Sequence, residues 1–538
     1  VPTLHEPVAR LRAYELMELA QGAEHEDALA ELESLEIEAE ARGWSEAALL
    51  AALGRALHAL VHDTDPETLP DLVDRLVARA EALGHGGLVA VTLAFRAVGA
   101  AGRADSASLL HDAGRAVTLA DDDTWPALDR CTALVICGAA YNALSLWELA
   151  SDLYDAANRL APECERALQD PAIAVNRVLV RLEWASGLFE LGDGSAALAQ
   201  LDLAARAADE AMSATGLPVL WRQEVEASRD VLAFARTAFR PEAKGDLEAL
   251  LATARRRSDE LDGAGSREMK PLLDALVVLA LHRLGRRDEA AVEAYRLLPP
   301  ASSSSGARTF VTWLRAHVLT GADPSPAVVA HREYGLQMAH TRWTAREGTL
   351  SAARSRIAGE RLGAEHARLA RDVLLDPLTG LSNRRAFDDW LDREPDLGVS
   401  TALILVDLDG FKGVNDVHGH GVGDDVLRRV GGLIAAHVRA GDLALRLGGD
   451  EFAVVLSGEA ATLALAWDRA HVLTEAIASA DWEPSAPGLH VRGSAGVAAG
   501  IVGRSGGTTA TRLYREADVE LYRVKAARPE RHSRVVRR

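Results

Sequence analysis

From residue 1 to about residue 340, apolar residues recur at helical spacing. The stretches are rich in Ala, Leu, Glu and Arg, and almost nothing in them alternates as a strand would. Breaks fall at Gly or Pro: Arg42-Gly43, Gly84-His85-Gly86-Gly87, Gly192-Asp193-Gly194 and Pro299-Pro300. The pattern predicts helix after helix. From Trp343 to Val373 breakers are few, and Trp343, Leu350, Ile357 and Ala364 recur at a heptad interval. Ala353, Leu362, Ala367, Leu369 and Val373 add to the apolar side, and Arg and Glu fill most of the rest. This spacing predicts one long helix with a coiled-coil seam, interrupted in phase near Gly359 to Gly363. The other reading is a last helix packed on the array before it. Beyond residue 374 the pattern changes again. Strands are predicted at 401–409, 444–448, 451–457 and 491–500, between helices near 384–394, 423–439, 460–480 and 509–527. Three segments follow: 1–340 helical, 341–373 a linking helix, and 374–538 mixed α/β.

The stretch Cys131–Pro162 places Gly138, Tyr141, Ala150, Tyr154, Ala157 and Pro162 at spacings that resemble a tetratricopeptide repeat. In such a repeat two helices pack antiparallel. Small residues allow close approach, aromatics fill the gap and proline ends the second helix. Degenerate copies follow around Leu191-Gly192-Asp193, flanked by Ala185, Ala197 and Ala204, and around Leu284–Ala290. The resemblance implies an all-α solenoid that offers a surface to an unidentified protein or ligand; the plainer alternative is that these helices only pack or dimerise. Ser302-Ser303-Ser304-Ser305-Gly306 reads as a loop.

Composition narrows the classes. A chain of 538 residues, 48% hydrophobic, holds more than one domain. A net charge of −20 argues against coating nucleic acid. The three cysteines, Cys131, Cys137 and Cys164, lack paired zinc spacing and read as helix-core thiols in a reducing compartment. No apolar run reaches membrane-spanning length, and Val1 to Gly22 has no signal-like apolar region, so a cytoplasmic protein without membrane contact is expected. Only four of the 59 basic residues are lysine: Lys244, Lys270, Lys412 and Lys525.

The chemistry concentrates near the C-terminus. In Arg446–Leu456 a Gly-Gly pair between β-prone segments reads as a tight hairpin turn and is followed at once by Asp450 and Glu451. Two adjacent acids repel unless a cation sits there, and hard oxygen ligands suit Mg2+ with a substrate phosphate; alone, the turn could be a solvated acidic tip. Upstream, Ala402–Lys412 is an apolar run that ends in Asp407-x-Asp409. If this strand pairs with the hairpin, Asp407 and Asp450 can share a cation.

With Asp376-Pro-Leu-Thr-Gly-Leu-Ser-Asn-Arg-Arg385, Asp407-Leu-Asp-Gly-Phe-Lys-Gly-Val-Asn-Asp-Val-His-Gly-His420, Gly423-Asp424 and Gly448–Phe452 in that order, residues 374–538 resemble the GGDEF family of diguanylate cyclases, which condense two GTP into cyclic di-GMP and two pyrophosphates. The resemblance implies an α/β sheet with flanking helices, like that of nucleotide cyclases and polymerase palms. It implies Asp407, Asp450 and the Leu408 carbonyl as ligands of two Mg2+ ions, or of Mn2+ in their place, with Glu451 a second acid at the tip. Asn415 and Asp424 would read guanine, His420 would bind substrate, and Phe411, Lys412 and Lys525 would lie along the nucleotide and its phosphates. Arg439 and Asp442, before the hairpin, match an inhibitory product site; a helix-end salt bridge is the bland meaning of the same spacing. After Lys525 the family's arginine position holds Pro529, with Arg528 and Arg531 nearby. A product-inhibited homodimer regulated by the repeats is expected. The alternative is a domain that no longer turns over and binds cyclic di-GMP or GTP as an effector.

Overall fold

The structure, a computed structural model, describes residues 5–527 apart from 21–24, 63–66, 165–168, 214–218, 241, 243, 265–268, 298–304, 322–324, 393–398, 440, 459–460 and 504–507. Pro529, its flanking arginines, Pro299-Pro300 and Ser302–Ser304 therefore lie outside the described residues. The chain divides into two compact units, Val1–Gly363 and Ala364–Arg538.

In the first unit every regular element among the described residues is helical, from Glu6–Leu19 to the 47-residue helix Pro326–Asp372, which runs on into the second unit. From Glu6–Leu19 to Ser305–Thr320 each helix packs on the next, as short connections require. Ala127–Ala143 and Trp147–Leu160 form the helix pair expected for Cys131–Pro162. A Cβ on Gly138 would stand 2.7 Å from the Tyr154 ring, so the small residue is what lets that ring enter. Cys131 and Cys137 are buried on the first of these helices, and Cys164 is half-buried beyond the second. Ser305 and Gly306 belong to the helix Ser305–Thr320, not to a loop. No helix among the described residues is long and apolar enough to cross a membrane.

The long helix begins at Pro326. Leu350, Ala353 and Ile357 are buried in the apolar core of the first unit, with Trp343 packed at its edge, whereas Leu362, Leu369 and, just past the helix end, Val373 are exposed. Over 343–357 the heptad residues thus lie on the array of their own chain.

The second unit is built on one antiparallel sheet in the order β2-β3-β1-β4, where β1 is Val399–Leu408, β2 Leu443–Gly448, β3 Glu451–Ser457 and β4 Gly493–Val502. The near-continuous apolar run of β1 follows from burial on both faces. Ala402, Ile404, Val406 and Leu408 meet residues of the helices His420–Ala436 and Leu463–Ser479. Leu403 and Leu405 meet Arg384–Leu391 and Ala510–Ala527. The last of these helices lies close on β4: a Cβ on Gly496 would come within 2.3 Å of the backbone at Ala517 and Leu521. One element was not expected, the short helix Phe411–His418 that leaves β1 directly.

Because the atoms facing Gly496 are backbone, they cannot rotate away. Gly496→Ala should destabilise the second unit by about 3 kcal/mol, near the upper end for overpacking. Chemical denaturation followed by the tryptophans of that unit checks this, with Gly500→Ala, whose nearest neighbour is a Thr508 methyl, as the milder control.

Candidate active site

The sheet places the acids. In the β1–β3 register Asp407 stands opposite Glu451, and the Leu408 N–H donates to the Asp450 carbonyl at 3.2 Å. The hairpin between β2 and β3 turns through Gly448 (φ 145°) and Gly449 (φ 54°), conformations that suit glycine and bring Asp450 beside the end of β1. Asp407 continues the β1 face that carries Leu403 and Leu405, the face covered by Ala510–Ala527. Lys525, near the end of that helix, therefore reaches it, with Nζ 2.5 Å from Asp407 Oδ1. Burial pushes the Asp407 carboxyl above its ordinary value. Lys525 opposes this, while the charges of Asp450 and Asp409 add to the rise.

These observations test the fit of a metal. The carboxylates at the strand ends repel one another and draw a cation, and the residues present suit a divalent ion. Among the described residues no three His, Cys, Asp or Glu side chains cluster as a metal site, so Asp407 and Asp450 with the Leu408 carbonyl would need phosphate oxygens and water to complete a shell. Glu451 is exposed at the tip. Asp409 is turned elsewhere: its Oδ1 accepts from the buried Ser494 hydroxyl at 2.7 Å, and its N–H donates to the Arg492 carbonyl at 2.9 Å.

The expected nucleotide residues line the helix pair that follows β1. Phe411 is buried at the start of the first helix, and Lys412 beside it is exposed. Asn415 sits above Gly423, where a Cβ would fall 2.0 Å from Asn415 Oδ1; glycine is what admits the amide. Asp424 is half-buried next to it, and His420 is exposed at the start of the second helix. Arg439 and Asp442 face each other. Arg439 Nε lies 3.4 Å from Asp442 Oδ1, Arg439 also donates to the Ser457 carbonyl at 3.2 Å, and the Asp442 side chain is 5% exposed against 52% for Arg439.

One group was missed. Arg446 on β2 donates through Nε and Nη2 to the Gly449 carbonyl at 3.1 and 2.8 Å, and through Nη1 to both oxygens of Asp376 at 3.2 Å. Asp376 also accepts from the Thr379 N–H (2.9 Å) and hydroxyl (2.7 Å). Asn383 ties the same loop back to the Val373 and Leu375 carbonyls at 2.7 and 3.0 Å. The entry loop of the second unit is thus fastened to the hairpin that carries Asp450. Only the repeated polar residues of Asp376–Arg385 hinted at this; nothing local linked them to a residue 70 positions away.

Residues 373–531 match the family model described as "Diguanylate cyclase, GGDEF domain". This segment is a GGDEF domain. Similar proteins include the diguanylate cyclase DgcS of Shewanella oneidensis, 33% identical over 167 residues that cover 30% of this chain and 53% of that protein. The diguanylate cyclase VdcA of Vibrio cholerae is 34% identical over 165 residues, 31% of this chain and 48% of that one. A crystal structure of the coiled coil and GGDEF domain of DgcB from Caulobacter crescentus, in complex with c-di-GMP, aligns at 28% identity with a TM-score of 0.28, over 33% of this chain and 93% of that one. The chain spans about half the length of the curated relatives it matches.

Burial raises the Asp376 carboxyl, but the bonds from Thr379 and Arg446 outweigh it and hold the group below its ordinary value. A depressed carboxyl stabilises fully above the unfolded value and loses that contribution as pH falls through the folded one. Asp376→Asn should therefore cost about 2 kcal/mol at neutral pH, since it leaves Arg446 without its charge partner, and progressively less on acidification. Denaturation of the variant and parent from pH 7 down to 3 checks it; an unchanging difference would put the effect outside the ion pair.

Proposed function

We propose that the chain is a divalent-metal-dependent diguanylate cyclase. The single observation that supports this best is the pair of carboxylates, Asp407 at the end of β1 and Asp450 in the turn beside it, with Lys525 ion-paired to Asp407. In the reaction, the 3′-hydroxyl oxygen of one GTP bonds to the α-phosphorus of a second, and pyrophosphate leaves. Repetition in the opposite sense closes the ring, with one proton released at each step. Each domain holds one GTP, so two domains face each other and a homodimer follows.

Asp407, Asp450 and the Leu408 carbonyl would hold the metal, two Mg2+ ions or Mn2+ in their place, which would neutralise triphosphate charge and ease ionisation of the attacking hydroxyl. Glu451, opposite Asp407 in the strand register, would join a second ion. As a metal-bound carboxylate is a weak base, the ligand role of Asp450 outranks a proton-accepting one. With nucleotide bound, Lys525 would turn from Asp407 to the phosphates, and Lys412, with the N-terminal N–H groups of Phe411–His418, would complete the phosphate cradle. Asn415 and Asp424 read the guanine edge, and His420 lies along the same nucleotide. A carboxylate accepts from the N1 and N2 hydrogens of guanine; adenine leaves it unpaired, which penalises ATP. Arg439 and Asp442 open from their mutual contact to take a guanine of cyclic di-GMP as an inhibitor. The N-terminal helices act as a repeat array that receives a regulatory partner.

The test is incubation of the chain with GTP and Mg2+, with cyclic di-GMP and pyrophosphate measured. The chain should form both in a 1:2 ratio, and Asp450→Asn should lower the rate at least about a thousandfold while its unfolding transition stays within about 0.5 kcal/mol of the parent. GTP binding without product would favour the effector reading. Asp424→Ala should narrow the preference for GTP over ATP by about tenfold or more; an unchanged ratio would place guanine recognition elsewhere.

A further inference from the structure

The first unit carries a surface that the cyclase reading does not use. Along Pro326–Asp372 a row of arginines meets groups of the helices beneath. Arg342 pairs with Glu190. Arg346 makes a two-pronged bond to Glu148 at 2.6 and 2.8 Å and donates to the Ser145 carbonyl at 3.1 Å. Arg356 donates to His111, and Arg361 Nε lies 2.7 Å from Asp121 Oδ2. Arg354 acts on the half-buried Asp152. In each pair the arginine comes from the long helix and its partner from the array.

The apolar part is equally specific. The Arg346 guanidinium lies over two rings, 4.1 Å from the centroid of Trp343 and 5.1 Å from that of Trp147. Its side chain is only 8% exposed. Trp147 rests where Gly187 and Gly306 make room: a Cβ on either would come within 2.7 or 3.1 Å of the indole. Gly114 does the same for the long helix, since a Cβ there would stand 3.0 Å from Arg356 Cγ. The array thus presents a trough with acids along it, an indole in its floor and a glycine notch.

We propose that this trough is a binding site for an arginine-bearing amphipathic helix, and that residues 342–361 of this chain are its resident occupant. A partner helix with arginines at the same intervals and an aromatic at the Trp343 position displaces the resident one. That frees Leu350, Ala353 and Ile357, the heptad residues it keeps buried. Charge complementarity selects the partner's chemistry, because in the ion pairs across the trough the array supplies the carboxylates and the occupant the arginines. This inference concerns the first unit alone and stands whether or not the second unit turns over GTP.

The probe is a fluorescent peptide with the chain's own sequence 340–363, added to the full chain and followed by anisotropy. A tethered occupant competes at an effective concentration on the order of millimolar, so the parent should bind the peptide weakly. Arg346→Ala loosens the resident helix but leaves the trough intact, and should bind at least about tenfold more tightly. Gly114→Leu fills the notch and should lose that gain when added to Arg346→Ala. Glu148→Gln, which adds no bulk, should do the same. Hydrogen exchange at the amides of 343–357 should accelerate as peptide saturates the Arg346→Ala chain. Equal binding by all four proteins, or no binding by Arg346→Ala, would overturn the proposal. Tight binding that survives both Gly114→Leu and Glu148→Gln would place the peptide elsewhere and overturn it as well.

Discussion

Negative charge gathered at the ends of two neighbouring strands is the constraint on which the second unit depends. Asp407 cannot move away from Asp450, because its strand is buried on both faces and hydrogen-bonded on both edges. Separating the acids would mean breaking the sheet. The repulsion must therefore be met by positive charge, and Lys525 shows where such charge is needed. The surrounding parts serve this arrangement. Two glycines turn the hairpin, Arg446 holds its tip through the Gly449 carbonyl, and Ser494 draws Asp409 out of the cluster.

Much of this was legible in the sequence because the signals were local. The apolar run 402–406 ending in Asp-x-Asp could hardly be anything but a buried strand, and Gly448-Gly449 between β-prone segments fixed the hairpin. Alternation on β1 was invisible for a physical reason: both faces are covered, so apolar residues occupy every position. The short helix Phe411–His418 escaped notice because a glycine, a lysine and an aspartate within eight residues give no clear period. Arg446 was missed because its role is distant. An arginine before Gly-Gly reads as a charged strand end until the loop carrying Asp376 is seen beside it.

The long helix teaches a different lesson. A heptad of apolar residues says which face is to be covered, not what covers it. Trp343, Leu350 and Ile357 would serve a coiled coil and a helical array alike, and in this structure the array takes them, while Leu362, Leu369 and Val373 stay exposed further along. What separates the two situations is the arginines: Arg342, Arg346, Arg356 and Arg361 each find a partner on the array that sequence spacing alone could not have named. Arg439 and Asp442 are the converse case. Their spacing fits both a ligand site and a salt bridge, and in this structure the two side chains form the salt bridge, at 3.4 Å.

The central claim is that Asp407 and Asp450 jointly hold a divalent cation with bound nucleotide, and metal uptake tests it without relying on turnover. Mn2+ would be titrated into the full chain with saturating 3′-deoxy-GTP, which lacks the attacking hydroxyl, and free Mn2+ read from its paramagnetic resonance signal. The account predicts that the chain removes Mn2+ beyond what the nucleotide alone binds, and that Asp407→Asn and Asp450→Asn each abolish this excess. Uptake by both variants equal to that of the parent would contradict it.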